Sequence, residues 1–129
     1  MMSNNEPKLF RLIDANINRL KEGIRVAEDI ERYIFDNKAL AGRLKNLRHK
    51  ATYEDERMLM YRDIRGDVLR DSIKSELQRE DIQNILKANL KRAQESARVL
   101  EEAMKLVDLK WSETFKAIRY ELYDIEKEI

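Results

Sequence analysis

The sequence predicts an all-α protein: a four-helix bundle built from two duplicated helical hairpins with pseudo-twofold symmetry. Three observations carry that expectation. Residues 14–34 (DANINRLKEGIRVAEDIERYI) and 87–107 (KANLKRAQESARVLEEAMKLV) align without a gap and share seven identities: Ala15/Ala88, Asn16/Asn89, Arg19/Arg92, Glu22/Glu95, Arg25/Arg98, Val26/Val99 and Glu28/Glu101. Only three Gly and one Pro occur in 129 residues, which leaves little material for turns. Apolar residues recur at spacings of three and four over long stretches, the period of a helix and not of a strand.

The first helix is expected from about Glu6 to Phe35. Ser3 with Glu6 suggests a capping box, and Pro7 suits a first turn. Its apolar stripe is Leu9, Leu12, Ile13, Ile17, Leu20, Ile24, Ala27, Ile30 and Ile34. Asp36-Asn37 marks its end. The second helix is expected from about Lys38 to Tyr61, with Leu40, Leu44, Leu47, Ala51 and Met58 inward. Residues 62–80 form the longest irregular segment, with a short helix expected over 71–77. The third helix runs from about Asp81 to Val107, with Ile82, Ile85, Leu86, Leu90, Ala97, Leu100 and Met104 periodic. Asp108-Leu109-Lys110 is read as a tight connection, and the fourth helix as Trp111 to Lys127. The repeat extends into the partner helices, because Lys45-Asn46-Leu47-Arg48-His49 matches Lys116-Ala117-Ile118-Arg119-Tyr120 with two residues less spacing. One domain over 1–129 therefore divides into a hairpin at about 6–61, a connection at about 62–80 and a second hairpin at about 81–127.

Composition narrows the function. With 26 basic and 25 acidic residues the net charge is +1, which gives no general drive toward nucleic acid or membrane. No Cys is present, so disulfides and thiolate metal sites are excluded. No stretch approaches the roughly 20 apolar residues that span a bilayer, and the amino terminus has no apolar signal-type run. A soluble, cytoplasmic protein is expected. His49 is the only His, so neither a di-iron bundle nor a Ser–His–Asp triad has support, and its expected role is packing or hydrogen bonding. No glycine-rich phosphate loop exists. Met58 and Met60 read as core filling, and Arg65-Gly66-Asp67 as an ordinary turn.

Five of the seven repeated identities are polar, whereas a repeat kept for packing alone would preserve apolar positions best. On a wheel at about 100° per residue, Asn16 falls just inside the edge of the apolar stripe. Arg19, Glu22, Ala15, Val26 and Gly23 form a flank beside it, and Asn89, Arg92, Glu95, Ala88, Val99 and Ser96 repeat that flank. Small side chains beside charged ones leave room for a small polar ligand. Arginine offers planar, bidentate donors for phosphate or carboxylate. The bland reading is that Arg19–Glu22 and Arg92–Glu95 are surface ion pairs at i, i+3, worth about 0.2–0.5 kcal/mol each, with the Asn residues fixing register. The duplication favours a site in which Arg19 and Arg92 face one anion and Asn16 and Asn89 orient the ligand. Glu22 and Glu95 are expected beside it. Arg25/Arg98 and Glu28/Glu101 point elsewhere on the wheel, toward a neighbouring helix or solvent. In the irregular segment, Arg62, Asp63, Arg65 and Asp67 put two guanidiniums and two carboxylates in one loop. Composition alone favours a solvated turn, and the competing reading makes Asp63 and Asp67 the candidate ligands for Mg²⁺, with Arg62 near the phosphates.

At these residues the chain resembles a known family. Asp14-Ala15-Asn16, Asn18-Arg19, Glu22-Gly23-Ile24-Arg25-Val26 and Glu28-Asp29 are similar to the opening of the helical domain often fused ahead of thiamine phosphate synthase. The likeness continues through Leu44-Lys45-Asn46-Leu47-Arg48-His49, Arg62-Asp63, Gly66-Asp67-Val68, Asn89, Arg92, Glu95, Arg98 and Glu101-Glu102. It ends with Arg119-Tyr120-Glu121-Leu122-Tyr123 and Glu126. That family is the alternative, monofunctional hydroxymethylpyrimidine phosphate kinase of thiamine biosynthesis. One departure is visible: the family carries Gly after the Asp-Val of the loop, and Leu69 stands here.

The resemblance implies an ATP- and Mg²⁺-dependent phosphotransferase that converts 4-amino-5-hydroxymethyl-2-methylpyrimidine phosphate to the diphosphate. It adds Arg48 to the expected substrate-binding residues. It implies nucleotide and pyrimidine phosphate as small-molecule partners, a functional association with thiamine phosphate synthase, and no nucleic acid or membrane partner; a homodimer is compatible with it. The chain also stops where a fused synthase would begin, so it reads as a free-standing version. A phosphate monoester has a second pKa of about 6, so its oxygen is mostly ionised at neutral pH and needs no strong base. Two readings from other classes compete. One is a chorismate-mutase-like helical enzyme, which also places arginines in a bundle but needs neither ATP nor metal. The other is a non-catalytic docking or oligomerisation partner of a thiamine-pathway enzyme.

Overall fold

The computed structural model describes residues 5–129, without the side chains of residues 74 and 75. Six helices and no strand occur among them: α1 Glu6–Tyr33, α2 Lys38–Lys50, α3 Glu56–Met60, α4 Lys74–Leu77, α5 Ile82–Met104 and α6 Leu109–Lys127. The all-helical expectation holds. Pro7 sits in the first turn of α1, where its missing N–H is no loss. Asn5 takes the N-cap position without a side-chain cap bond, and Ser3 of the expected capping box lies outside the described residues. Asp36 closes the helix in the left-handed region at φ 52°, a conformation Asp tolerates better than most residues. Asn37, Asp81 and Asp108 then cap α2, α5 and α6 by accepting backbone N–H bonds from Leu40, Asn84 and Lys110.

The second helix differs from its expectation. It stops at Lys50, and residues 51–55 are non-helical before α3 begins. Thr52 and Tyr53 are weak helix formers, and Asp55 caps a new helix by accepting from Arg57 N at 2.9 Å. Burial decides the outcome. Ala51 and Tyr53 turn into the core, and the Tyr53 ring meets Trp111 edge-on at 5.4 Å between centroids. Arg57 braces the junction by pairing with Asp55 at 2.7 Å and with Glu6, and it lies over the Phe10 ring. The short helix expected over 71–77 is reduced to α4. Helix α6 starts earlier than expected, at Leu109, because Asp108 caps it.

Helix α1 packs on α5 and α2, and α6 packs on α5 and α2. Between them lie Phe10, Leu20, Leu44, Leu90, Leu100 and Phe115, all fully buried. Leu12, Ile34 and Ile82, expected in the stripe, are exposed at its edges, and Met60 is exposed where core filling was expected. His49 is exposed on α2. Gly23 lies against Asn89 and Ala93, while Leu9 and Leu12 border Val99 and Ala103, so α1 and α5 run antiparallel. A Cβ on Gly23 would stand 2.9 Å from the Asn89 carbonyl oxygen. This is the one helical position where glycine is demanded by a neighbouring backbone.

Candidate active site

The seven repeated identities separate into two groups. Glu28 and Glu101 are buried, 1% and 6% exposed, and each is held by an arginine of the partner helix. Arg48 Nε donates to Glu28 at 2.7 Å, and Arg119 donates to Glu101 at 2.8 and 3.0 Å. Burial alone would raise the Glu28 carboxyl, but the hydrogen bond and charge of Arg48 bring it below the usual range. Arg25 pairs with Asp29, and Arg98 with Glu101 and Glu102. Glu28 and Glu101 thus tie α1 to α2 and α5 to α6, whereas the Arg25 and Arg98 pairs lie within their own helices. Arg48, expected at the substrate, is thereby committed to the α1–α2 junction and lines neither groove described below.

Arg19, Glu22, Arg92 and Glu95 behave differently. None of them enters an ion pair with any described residue. The intrahelical pairing of the bland reading is therefore not made. Arg19, Arg92 and Glu95 line a groove of about 490 Å³ between α1 and α5, together with Asn16, Ser96, Val99 and Glu76 from α4. Asn16 is 6% exposed and Ser96 is 4% exposed. Asn16 donates its Nδ2 to Leu12 O at 2.9 Å, and Asn89 does the same to Ile85 O at 2.8 Å. Asn89 is not among the residues that line the groove, and its backbone carbonyl lies against Gly23.

A second groove, about 620 Å³, runs along the other side of α1 under the segment that follows α3. Lys8, Arg11, Ala15, Asn18, Arg19 and Glu22 line its floor, and Arg62, Asp63, Ile64 and Asp67 its roof. The roof is fastened by Asp14, which is buried and accepts two hydrogen bonds from Arg62, both 2.7 Å. Asn18 donates to the same carboxylate at 3.1 Å, and Arg11 to the Asp63 carbonyl at 3.3 Å. Asp14 thus spends its charge on Arg62, whose guanidinium anchors the roof to α1. Asp63 Oδ1 accepts from Gly66 N at 2.8 Å, and Asp67 Oδ1 from Leu69 N at 3.0 Å. A Cβ on Gly66 would collide with the Asp63 carboxylate. Leu69, in contrast, holds its place at a negative φ, so this loop needs no glycine there. Each acid keeps one oxygen free of its own loop, and both carboxylates are exposed. No cluster of three acidic or His side chains that would cage a metal occurs among the described residues.

Arg19 alone lines both grooves. Lys8, Arg11, Asp14, Asn18 and Glu76 escape reasoning from the repeat. The signal for Lys8, Arg11 and Asn18 was present, because with Ala15 and Glu22 they follow helical spacing on one face. Lys8 and Arg11 precede the repeat, which begins at residue 14.

Residues 11–128 match the ThiD2 family. The chain belongs to that family. Among similar proteins, the thiamine-phosphate synthase of Nostoc sp. (strain PCC 7120) is 38% identical over 120 residues, covering 92% of this chain and 34% of that protein. The thiamine-phosphate synthase of Thermosynechococcus vestitus is 38% identical over 122 residues, 93% of this chain and 35% of its own length. That of Rhodopirellula baltica is 33% identical over 135 residues, 99% of this chain and 36% of its own length. The ThiD2 chain thus spans about a third of the length of the curated relatives it matches. No solved structure matches it. No helix of the described residues is long and apolar enough to cross a membrane.

Proposed function

We propose that this ThiD2-family chain is an ATP-dependent kinase of thiamine biosynthesis, phosphorylating 4-amino-5-hydroxymethyl-2-methylpyrimidine phosphate to the diphosphate. One observation carries the reading. Of the charged residues duplicated between α1 and α5, Arg25, Arg98, Glu28 and Glu101 enter ion pairs, while Arg19, Glu22, Arg92 and Glu95 pair with none of the described residues and lie along two adjoining grooves. Phosphoryl transfer between two anions asks for cationic charge and positioning more than for a strong base, and that is what the grooves offer. Family membership and the thiamine-phosphate synthase relatives support the pathway.

We read the two hairpins as copies of one unit about a pseudo-twofold axis. A shift of 73 residues carries Asn16 to Asn89, and it carries the Glu28 position to Glu101. The Asn bonds and the Glu–Arg pairs repeat with it. Mg²⁺ belongs to this chemistry as the counter-ion of the nucleotide. It takes one or two carboxylates plus phosphates, and the free oxygens of Asp63 and Asp67 suit that role. Arg62 acts as a positioning residue, because its guanidinium ties these two acids to Asp14.

A thermal-shift panel with ATP plus Mg²⁺, the pyrimidine phosphate and chorismate tests the reading, followed by a coupled assay for ADP. A site ligand at about 100 times its Kd adds roughly 2.7 kcal/mol of stability. The expected result is a shift with the first two and ADP release only when both are present. A shift with chorismate alone would replace the kinase by a dicarboxylate-binding enzyme.

A further inference from the structure

We propose that the two grooves divide the substrates: the nucleoside triphosphate lies under the loop after α3, the phosphate monoester of the aminopyrimidine lies between α1 and α5, and Arg19 stands at the partition where the two phosphates meet. This division rests on the kinase reading above. A triphosphate needs the larger positive field and a place for its metal. The loop groove supplies Lys8, Arg11 and Arg19, none of them in an ion pair with a described residue, together with the exposed carboxylates of Asp63 and Asp67. The fourth cation there, Arg62, is already neutralised by Asp14.

The helix groove is smaller and differently equipped. Arg19 and Arg92 match the charge of about −1.5 to −2 on a phosphate monoester at neutral pH. Glu95 accepts from an exocyclic amine. Asn16 and Ser96, both more than nine-tenths buried, offer fixed polar atoms, and Val99 offers an apolar wall to a small ring. An amphipathic heterocycle with one phosphate fits that set better than a nucleotide does. The Nδ2 of Asn16 is already committed to Leu12 O, so its Oδ1 is the atom left for a ligand donor.

The reaction then runs across the partition. An ionised oxygen of the monoester attacks the γ-phosphorus, and a new P–O bond forms. The bond from that phosphorus to the β–γ bridging oxygen breaks, and its electron pair leaves on ADP. No proton has to move, because the attacking oxygen is already deprotonated. Arg19, adjoining both grooves, is placed to bind oxygens of the transferring group while the other arginines hold the ends.

Isothermal titration of the full chain with Mg²⁺–ATP and, separately, with the pyrimidine phosphate reads the division without turnover. Arg92→Ala and Glu95→Gln are expected to weaken the monoester at least tenfold while leaving the nucleotide Kd within twofold. Arg11→Ala is expected to do the reverse, and Arg19→Ala to weaken both. Arg19, Arg92 and Glu95 are exposed and Arg11 is half-buried, and circular dichroism checks that the variants fold. Crossed effects, or equal loss of both ligands in every variant, would overturn the division while the kinase reading stands. Failure of the folded wild-type chain to bind either ligand would overturn the kinase reading and the division with it.

Discussion

At the scale of single residues, the polar strip was legible because the chain writes it twice. Arg19, Glu22, Arg92 and Glu95 stood out as polar identities, and they are the repeated charges left unpaired. Charge-assisted hydrogen bonds contribute about 1.5–3 kcal/mol. Arg19→Ala and Arg92→Ala should therefore each lower kcat/KM roughly tenfold to more than a hundredfold, with unchanged circular dichroism. Full activity in both variants would assign the strip to solubility alone. The acids of the loop make a separate prediction. Asp63→Asn should raise the Mg²⁺ concentration needed for half-maximal rate, read from a metal titration at fixed ATP. Normal Mg²⁺ responses in both Asp63→Asn and Asp67→Asn would move the metal toward Glu22 and Glu95. The partnership of Asp14 with Arg62 was not legible, because 48 residues separate them and nothing local links them.

At the scale of elements, the paired Glu28–Arg48 and Glu101–Arg119 bonds staple each long helix to its shorter partner. Removing one member of a buried pair typically costs about 3–5 kcal/mol, because a charge is left unmatched. Glu28→Ala and Glu101→Ala should each lose stability of that order in urea unfolding, and the double change Glu28→Leu with Arg48→Met should recover much of it. A loss below about 1 kcal/mol would place these pairs in the class of exposed ion pairs. Gly23→Ala should also destabilise, since backbone and not a flexible side chain faces the added methyl, with overpacking of this kind costing about 1–3 kcal/mol. Helix boundaries were legible where Asn or Asp caps a helix. The break after Lys50 was not, because Ala51 continues the apolar period, and the burial of Tyr53 beside Trp111 is what favours leaving the helix.

For the whole molecule, pH dependence follows from which carboxylates the fold has shifted. Arg57 hydrogen-bonds Asp55 and holds its carboxyl down to about 2 from an ordinary 3.8. That contribution is complete above pH 3.8 and is lost as the pH falls through about 2. Glu28, also lowered, adds to the same acid loss. Glu31 has the opposite sign: burial raises its carboxyl above 4.5, so its charged form destabilises the fold as pH rises past that value. Glu31→Gln should accordingly raise Tm at pH 7 and leave it nearly unchanged at pH 3, whereas Asp55→Asn should lower Tm at pH 7. A Glu31→Gln variant no more stable at pH 7 than at pH 3, relative to wild type, would show that the native chain satisfies this acid.

By itself the sequence determined the helical class, the two long helices and the strip of repeated Asn, Arg and Glu, because each of these is local or periodic and a helix converts spacing directly into a face. Only the tertiary structure decided which repeated charges are structural and which are available. Glu28 and Glu101 look no different from Glu22 and Glu95 in the alignment. They differ because α2 and α6 bring an arginine against the first pair, while no described residue forms an ion pair with the second. The same is true of the two grooves. Their walls come from elements far apart in the chain, and the loop that roofs one of them is placed by a buried carboxylate on α1 meeting a guanidinium beyond α3. Pairing across such distances depends on packing, and packing is a property of the folded whole.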